Sequence, residues 1–151
     1  MRILFVCLGN ICRSPMAEFV MRKMVKDAGL SDRFLIASAA TSVEEIGNPV
    51  YPPAKRTLAQ HGIDCTGKTA RQMTRADYEY FDAIIAMERA TLPAIQRIIG
   101  SDDQHKVSLL LDHTDHPHDI ADPWYTGNFD ITWDEVNEGC AALLSEYASR
   151  V

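Results

Sequence analysis

Cys7 and Arg13 bracket a short stretch, Cys7-Leu8-Gly9-Asn10-Ile11-Cys12-Arg13, followed by Ser14 and Pro15. A thiolate at Cys7 is a nucleophile, and a guanidinium at Arg13 presents a planar fork to two oxygens of a phosphate. Ser14 can donate a hydrogen bond to the sulfur. A thiolate beneath a bound phosphate is aimed at phosphorus, so the chemistry of this stretch is attack on a phosphate ester. Cys-x5-Arg alone also arises by chance, and a cysteine at a strand end is often plain packing. The flanking sequence must therefore decide.

The flanks supply the elements that such a site requires. Ile3-Leu4-Phe5-Val6 reads as a buried strand ending at Cys7. Gly9 and Asn10 suit the unusual backbone angles of a tight loop. Pro15 suits the first turn of a helix. A loop that curls into a helix N-terminus points backbone N–H groups inward and adds the positive end of the helix dipole, which favours both an oxyanion and a thiolate. The phosphate loop would comprise Leu8, Gly9, Asn10, Ile11, Cys12, Arg13 and Ser14. Neither the Gly-x4-Gly-Lys-Ser/Thr nor the Gly-x-Gly-x-x-Gly pattern occurs, which disfavours a nucleoside triphosphatase or a dinucleotide-binding enzyme.

The run Val6-Cys7-Leu8-Gly9-Asn10-Ile11-Cys12-Arg13-Ser14-Pro15-Met16-Ala17-Glu18 resembles the signature of the low-molecular-weight protein tyrosine phosphatases. The resemblance implies a four-stranded parallel sheet, hydrolysis of phosphotyrosine in proteins or peptides, and no cofactor. Cys7 would be the nucleophile and Arg13 the phosphate ligand.

Along the chain, helical spacing covers 15–28, closed by Gly29. A strand at 34–38 and a turn-rich loop at 39–51 follow, then a helix at about 53–61. Residues 63–76 read as a polar, irregular segment in which Lys68, Arg71 and Arg75 form a solvated face. A short helix is expected at 74–80, a strand at 81–87, a helix at 89–99 and a strand at 106–111. A loop spans 112–130, and the last helix runs from about 132 to 148. Alternating strands and helices give an α/β fold, one domain over 1–151, with a doubly wound parallel sheet covered on both faces. Ligands of such sheets sit beyond the carboxyl ends of the strands, where Cys7 falls.

A loop of about 19 residues in a compact fold calls for a function. It contains Asp122-Pro123-Trp124-Tyr125. From the residues alone, Asp-Pro opens a turn and the aromatics pack the last helix. The resemblance implies instead that Asp122 is the general acid, with Trp124 and Tyr125 facing an aromatic leaving group. Asp119 is the second choice for the acid. His113, His116 and His118 cluster with Asp112, Asp115 and Asp119, but their spacing matches no metal site, and none is expected.

Ser38-Ala39-Ala40-Thr41-Ser42 is similar to the family's Ser-Ala-Gly-Thr-Ser. Beyond it, Glu44 stands where the family often has a bulky apolar wall, followed by Glu45. Tyr51-Pro52-Pro53 replaces an Asp-Pro-Arg pattern, and Tyr51 is a candidate substitute for the wall. Acidic residues here would disfavour acidic peptides.

The 151 residues carry a net charge of −6, which argues against a nucleic-acid partner. No apolar stretch approaches a membrane span, and Met1-Arg2 leads straight into a strand rather than a signal peptide, so a cytoplasmic protein without a membrane partner is expected. Oligomeric state is not written in the pattern. The four cysteines, Cys7, Cys12, Cys65 and Cys140, lack the spacing of a zinc site or a disulfide framework. Curling of the loop can bring Cys12 within disulfide reach of Cys7, and the family uses such a neighbour as a redox partner; plain packing is the alternative. Within the family fold, an arsenate reductase needs a closely spaced cysteine pair that is missing. An arginine phosphatase typically has Thr at the place of Ile11. A phosphopeptide-binding module would not need both nucleophile and acid.

Overall fold

The computed structural model describes residues 1–151. Four strands form one parallel sheet: β1 Arg2–Cys7, β2 Leu35–Ala40, β3 Ala83–Ala86 and β4 Val107–Leu109, in the order β2-β1-β3-β4. The chain steps from β1 outward to β2 and returns to β3 on the other side of β1. The strand order therefore reverses beside the end of β1, where Cys7 lies.

Alternation along β1 divides the core. Ile3, Phe5 and Cys7 face α1 (Arg13–Asp27) and α6 (Phe129–Ala148), within a core of 24 buried residues. Leu4 and Val6 face the opposite layer, where Tyr78 of α3 (Arg75–Tyr80) and Ile95 and Ile99 of α4 (Leu92–Ile99) pack. A strand buried on both faces has no polar side to show, which explains the unbroken apolar run. α2 (Pro52–Gln60) packs on α6. No helix is long and apolar enough to cross a membrane.

Several boundaries differ from the sequence expectation. α1 starts at Arg13 rather than Pro15, so Arg13 and Ser14 form its first turn. β3 and β4 are shorter than the apolar runs 81–87 and 106–111. Leu110 and Leu111 are buried yet leave the sheet in a 3-10 turn, Leu110–His113. A second 3-10 turn, Arg89–Thr91, precedes α4. The expected loop 112–130 contains a short helix, α5 (Pro123–Thr126), and the start of α6 at Phe129, capped by Asn128.

Lys68 does not join the solvated face expected of it, whereas Arg71 stays partly solvated within an ion pair. Arg71 makes a two-pronged pair with Asp77, at 2.9 and 3.1 Å. Lys68, with a side chain only 13% exposed, reaches Glu18 at 3.2 Å. The carboxylate that draws Lys68 inward lies far from it in sequence, on α1, so polarity alone misplaced it.

Candidate active site

The end of β1, the turn into α1, the loop after β2 and the segment carrying α5 enclose one cavity of 160 Å³. It is lined by Cys7 to Arg13, Glu44, Glu45, Asp122, Trp124 and Tyr125. Residues expected from the sequence to act together thus share one pocket, including Asp122, whose side chain lies 3.3 Å from Arg13 Nη2. Ser14 stands behind the pocket, with Oγ 3.0 Å from Cys7 Sγ. Leu8 is largely exposed at the mouth.

The loop owes its shape to Asn10 rather than Gly9. Asn10 takes φ +59°, the left-handed conformation that asparagine tolerates. Its backbone N–H donates to Cys7 Sγ at 3.3 Å. Its side-chain amide donates to Ser14 Oγ at 2.8 Å and to Ser38 Oγ at 2.9 Å. Ser14 Oγ accepts from Asn10, which leaves its own hydrogen for the sulfur. Cys7 is buried, and both neighbours can donate to a thiolate. No side chain caps α1. Its first-turn N–H groups and its dipole are therefore available to an anion at the pocket.

Arg13 is only 1% exposed. Nη1 donates to the Ile120 carbonyl at 2.9 Å, and Nη2 meets Glu88 Oε1 at 3.0 Å as well as Asp122. Burial by itself would weaken its charge. The Glu88 hydrogen bond, with Cys7 and Asp122 nearby, holds its pKa above the ordinary arginine value. Asp122 caps α5, with Oδ1 accepting from Trp124 N at 3.0 Å, while Oδ2 faces Arg13. Asp119, the second choice for the acid, binds Arg89 at 3.0 and 3.3 Å and lines no part of the pocket.

Behind the loop lies a polar network that sequence reasoning missed. Ser38 Oγ donates to Glu18 Oε1 at 2.5 Å, and Glu18, 2% exposed, also pairs with Arg22 at 2.6 Å and with Lys68. Glu18 closes the signature run, and nothing in the apolar spacing of the helix marks it as buried. Its place one helical turn after Ser14 was the available signal. Glu88 was also missed, although it follows Met87 just beyond β3, at a carboxyl end of the sheet.

Cys12 is 5% exposed beside Ile11 and Ala70. Burial foremost, then the charges of Cys7 and Asp122, push its pKa up to about 12, so it stands as a thiol at neutral pH. All four cysteines are free. Tyr51 does not line the pocket. It packs against Trp124, with ring centroids 4.6 Å apart, and supports that side chain from behind. The histidines of the 112–119 segment turn elsewhere: His113 bridges Ser108 and Glu146, and His118 meets Glu135. No group of three or more His, Cys, Asp or Glu side chains could hold a metal ion.

The family described as "Low molecular weight phosphotyrosine protein phosphatase" matches residues 2–151. The low molecular weight protein-tyrosine-phosphatase YfkJ of Bacillus subtilis is 37% identical over 145 residues, covering 95% of this chain and 93% of its own. The rat low molecular weight phosphotyrosine protein phosphatase is 38% identical over 149 residues, covering 95% and 94%. Among solved structures, B. subtilis YfkJ superposes with a TM-score of 0.96 at 36% identity, over 99% of this chain and 96% of that one. A Drosophila arginine phosphatase also shares the fold, with a TM-score of 0.88 at 28% identity over 97% and 98%. A signature loop closed around Cys7, a matching four-stranded sheet and similarity along nearly the whole chain lead to one conclusion: this chain belongs to the low molecular weight phosphotyrosine protein phosphatases.

Proposed function

We propose that this protein hydrolyses phosphotyrosine in proteins or peptides through a phosphocysteine on Cys7. The observation that carries the reading is the convergence of Cys7, the Arg13 guanidinium and the Asp122 carboxyl on one small cavity. Phosphate oxygens would lie against the loop amides and Arg13, and Cys7 sulfur attacks phosphorus. As the S–P bond forms, the P–O bond to the phenol breaks, and Asp122 gives its proton to the departing oxygen. Water then attacks the phosphocysteine, losing a proton to Asp122. The S–P bond breaks, releasing phosphate and restoring the thiolate. Arg13 and the amides stabilise the charge that develops on the phosphoryl oxygens.

Glu88 holds Arg13 in register, and Ser14 and Asn10 hold the sulfur. Ile11 puts an apolar side chain at the pocket, offering nothing to the N–H groups of a phosphoguanidine. Trp124 and Tyr125 are 51% and 80% exposed and offer ring faces to a phenol. Phosphotyrosine therefore ranks above phosphoarginine. Four free thiols suit a reducing compartment, which supports a cytoplasmic location.

The test is turnover of phosphotyrosine, phosphoarginine and phosphoserine peptides side by side, with rapid-quench trapping of labelled phosphate on the protein. Phosphotyrosine should be fastest, and the label should map to Cys7. Cys7→Ser should bind phosphate without turnover. Faster hydrolysis of phosphoarginine, or label elsewhere, would refute the reading.

A further inference from the structure

The mouth of an anion-binding pocket would be expected to be neutral or basic, yet this one is acidic. Glu44 and Glu45 both line it, together with Asp122. The single cation in the lining, Arg13, is buried and already engaged by Glu88 and Asp122. Neither Glu44 nor Glu45 forms an ion pair.

Glu45 is held in place. Its Oε2 accepts from Asn48 Nδ2 at 2.6 Å, and its stem lies over the phosphate loop. A methyl group on Gly9 would stand 3.4 Å from Glu45 Cγ. Glu44 is exposed beside it, and the pair is bracketed by Val43 and Ile46, which are 60% and 54% exposed. Two unpaired carboxylates beside a dianion repel it, unless the substrate brings a cation. A lysine or arginine side chain has both parts that this patch would hold: an apolar stem for Val43 and Ile46, and a charged head for the carboxylates.

Resting on the phosphatase reading above, we propose that Glu44 and Glu45 select phosphotyrosines with a lysine or arginine close by in the peptide. The carboxylates draw in the peptide's cation while the loop takes the phosphate, so a basic peptide is steered in and an acidic one repelled.

Three phosphotyrosine peptides differing only at the flanking positions, in Lys, Gln or Glu, test this with the wild-type protein and with Glu44→Gln/Glu45→Gln. The wild type should order them Lys, Gln, Glu in kcat/KM. Two exposed charge pairs separate neighbours in that order by roughly three- to tenfold. The effect should sit mostly in KM, and it should shrink at ~0.5 M salt, where screening reaches only a few ångströms. The double variant should flatten the order, chiefly by improving the Glu-flanked peptide. Equal kcat/KM for all three peptides in the wild type, or an order that survives in the double variant, would overturn the charge selection and leave the phosphatase reading intact. Hydrolysis of none of the three would overturn both.

Discussion

Glu18→Ala should damage the enzyme although Glu18 touches neither the pocket nor Cys7. The side chain is 2% exposed and accepts from Ser38 at 2.5 Å, Lys68 at 3.2 Å and Arg22 at 2.6 Å. Arg22 is half exposed and can turn to water, so its i,i+4 pair counts for only ~0.3–0.5 kcal/mol. Ser38 is fully buried, and Lys68, with a side chain 13% exposed, would keep only the Ser38 carbonyl at 3.1 Å. Removing one partner of a buried charge pair costs about 3–5 kcal/mol. At ~2–4 °C per kcal/mol for a chain of this length, the melting temperature should fall by roughly 6–20 °C. Activity should suffer separately. Ser38 is one of the two side chains gripping the Asn10 amide, and Asn10 keeps the loop around Cys7. A loss of about tenfold in kcat/KM, or ~1.4 kcal/mol, is expected well below the melting transition. Glu18→Gln, which keeps an acceptor for Ser38, should restore most of the activity but only part of the stability. The assay is p-nitrophenyl phosphate turnover at a temperature where thermal unfolding shows both variants folded. A fully active Glu18→Ala would show that the network only stiffens the fold. An unchanged melting temperature would show that Lys68 and Ser38 find other partners.

Asp122→Asn should slow phenyl phosphate hydrolysis by ~10²–10⁴-fold, and far less for esters whose leaving group needs no proton; equal losses across leaving groups would remove Asp122 as the acid. Peroxide should inactivate the protein reversibly through a Cys7–Cys12 disulfide, with phosphate protecting. In Cys12→Ser the damage should become permanent, whereas sulfonic acid at Cys7 with Cys12 reduced in the wild type would make Cys12 mere packing. Gly139→Ala would put a methyl group 2.4 Å from buried Leu110 Cγ. Overpacking of about 1–3 kcal/mol should exceed the ~1 kcal/mol gain in helix propensity. Calorimetry should then show a melting temperature lower by a few degrees, and an increase would mean that Leu110 has room to move. Burial raises the Cys12 pKa from 9.0 to about 12 and raises that of Cys140 as well. Their contribution to stability is therefore complete below pH 9 and lost as pH rises through the folded value; denaturant titrations from pH 8 to 11 that show no decline would contradict this.

The strand, loop and first helix were legible because each is written locally. An apolar run, a Gly-Asn turn and a proline in the first helical turn mark the path from Arg2 to Asp27, although the helix begins at Arg13, two residues before the proline. The later strand ends were harder to read. Leu110 and Leu111 continue the apolar run of β4, yet they bury themselves in a 3-10 turn under α6, and burial rather than strand pairing is what their composition reports. Read from the residues alone, Asp122-Pro123 signals a turn. Aspartate before proline is also a helix cap followed by a first helical residue, and that is the role it plays at α5.

The site divides along the same line. Cys7, Arg13 and Ser14 belong to one short segment whose chemistry its spacing declares. Their supports lie far away in sequence: Glu88 is 75 positions from Arg13, the Ile120 carbonyl 107, and Ser38 is 28 from Asn10. No period or motif announces such pairings, because they depend on which strand lies beside β1. Once the order β2-β1-β3-β4 is known, they follow. β2 brings Ser38 alongside Phe5, two residues before Cys7, and β3 brings Glu88 to the carboxyl end of the sheet, where Arg13 needs a counter-charge. Glu18 then becomes intelligible as well. A buried carboxylate is tolerated on α1 because β2 places a serine hydroxyl against it and Lys68 reaches in beside it. The Cys7 loop is therefore a local feature, whereas the rigidity that holds it in place is a property of the sheet.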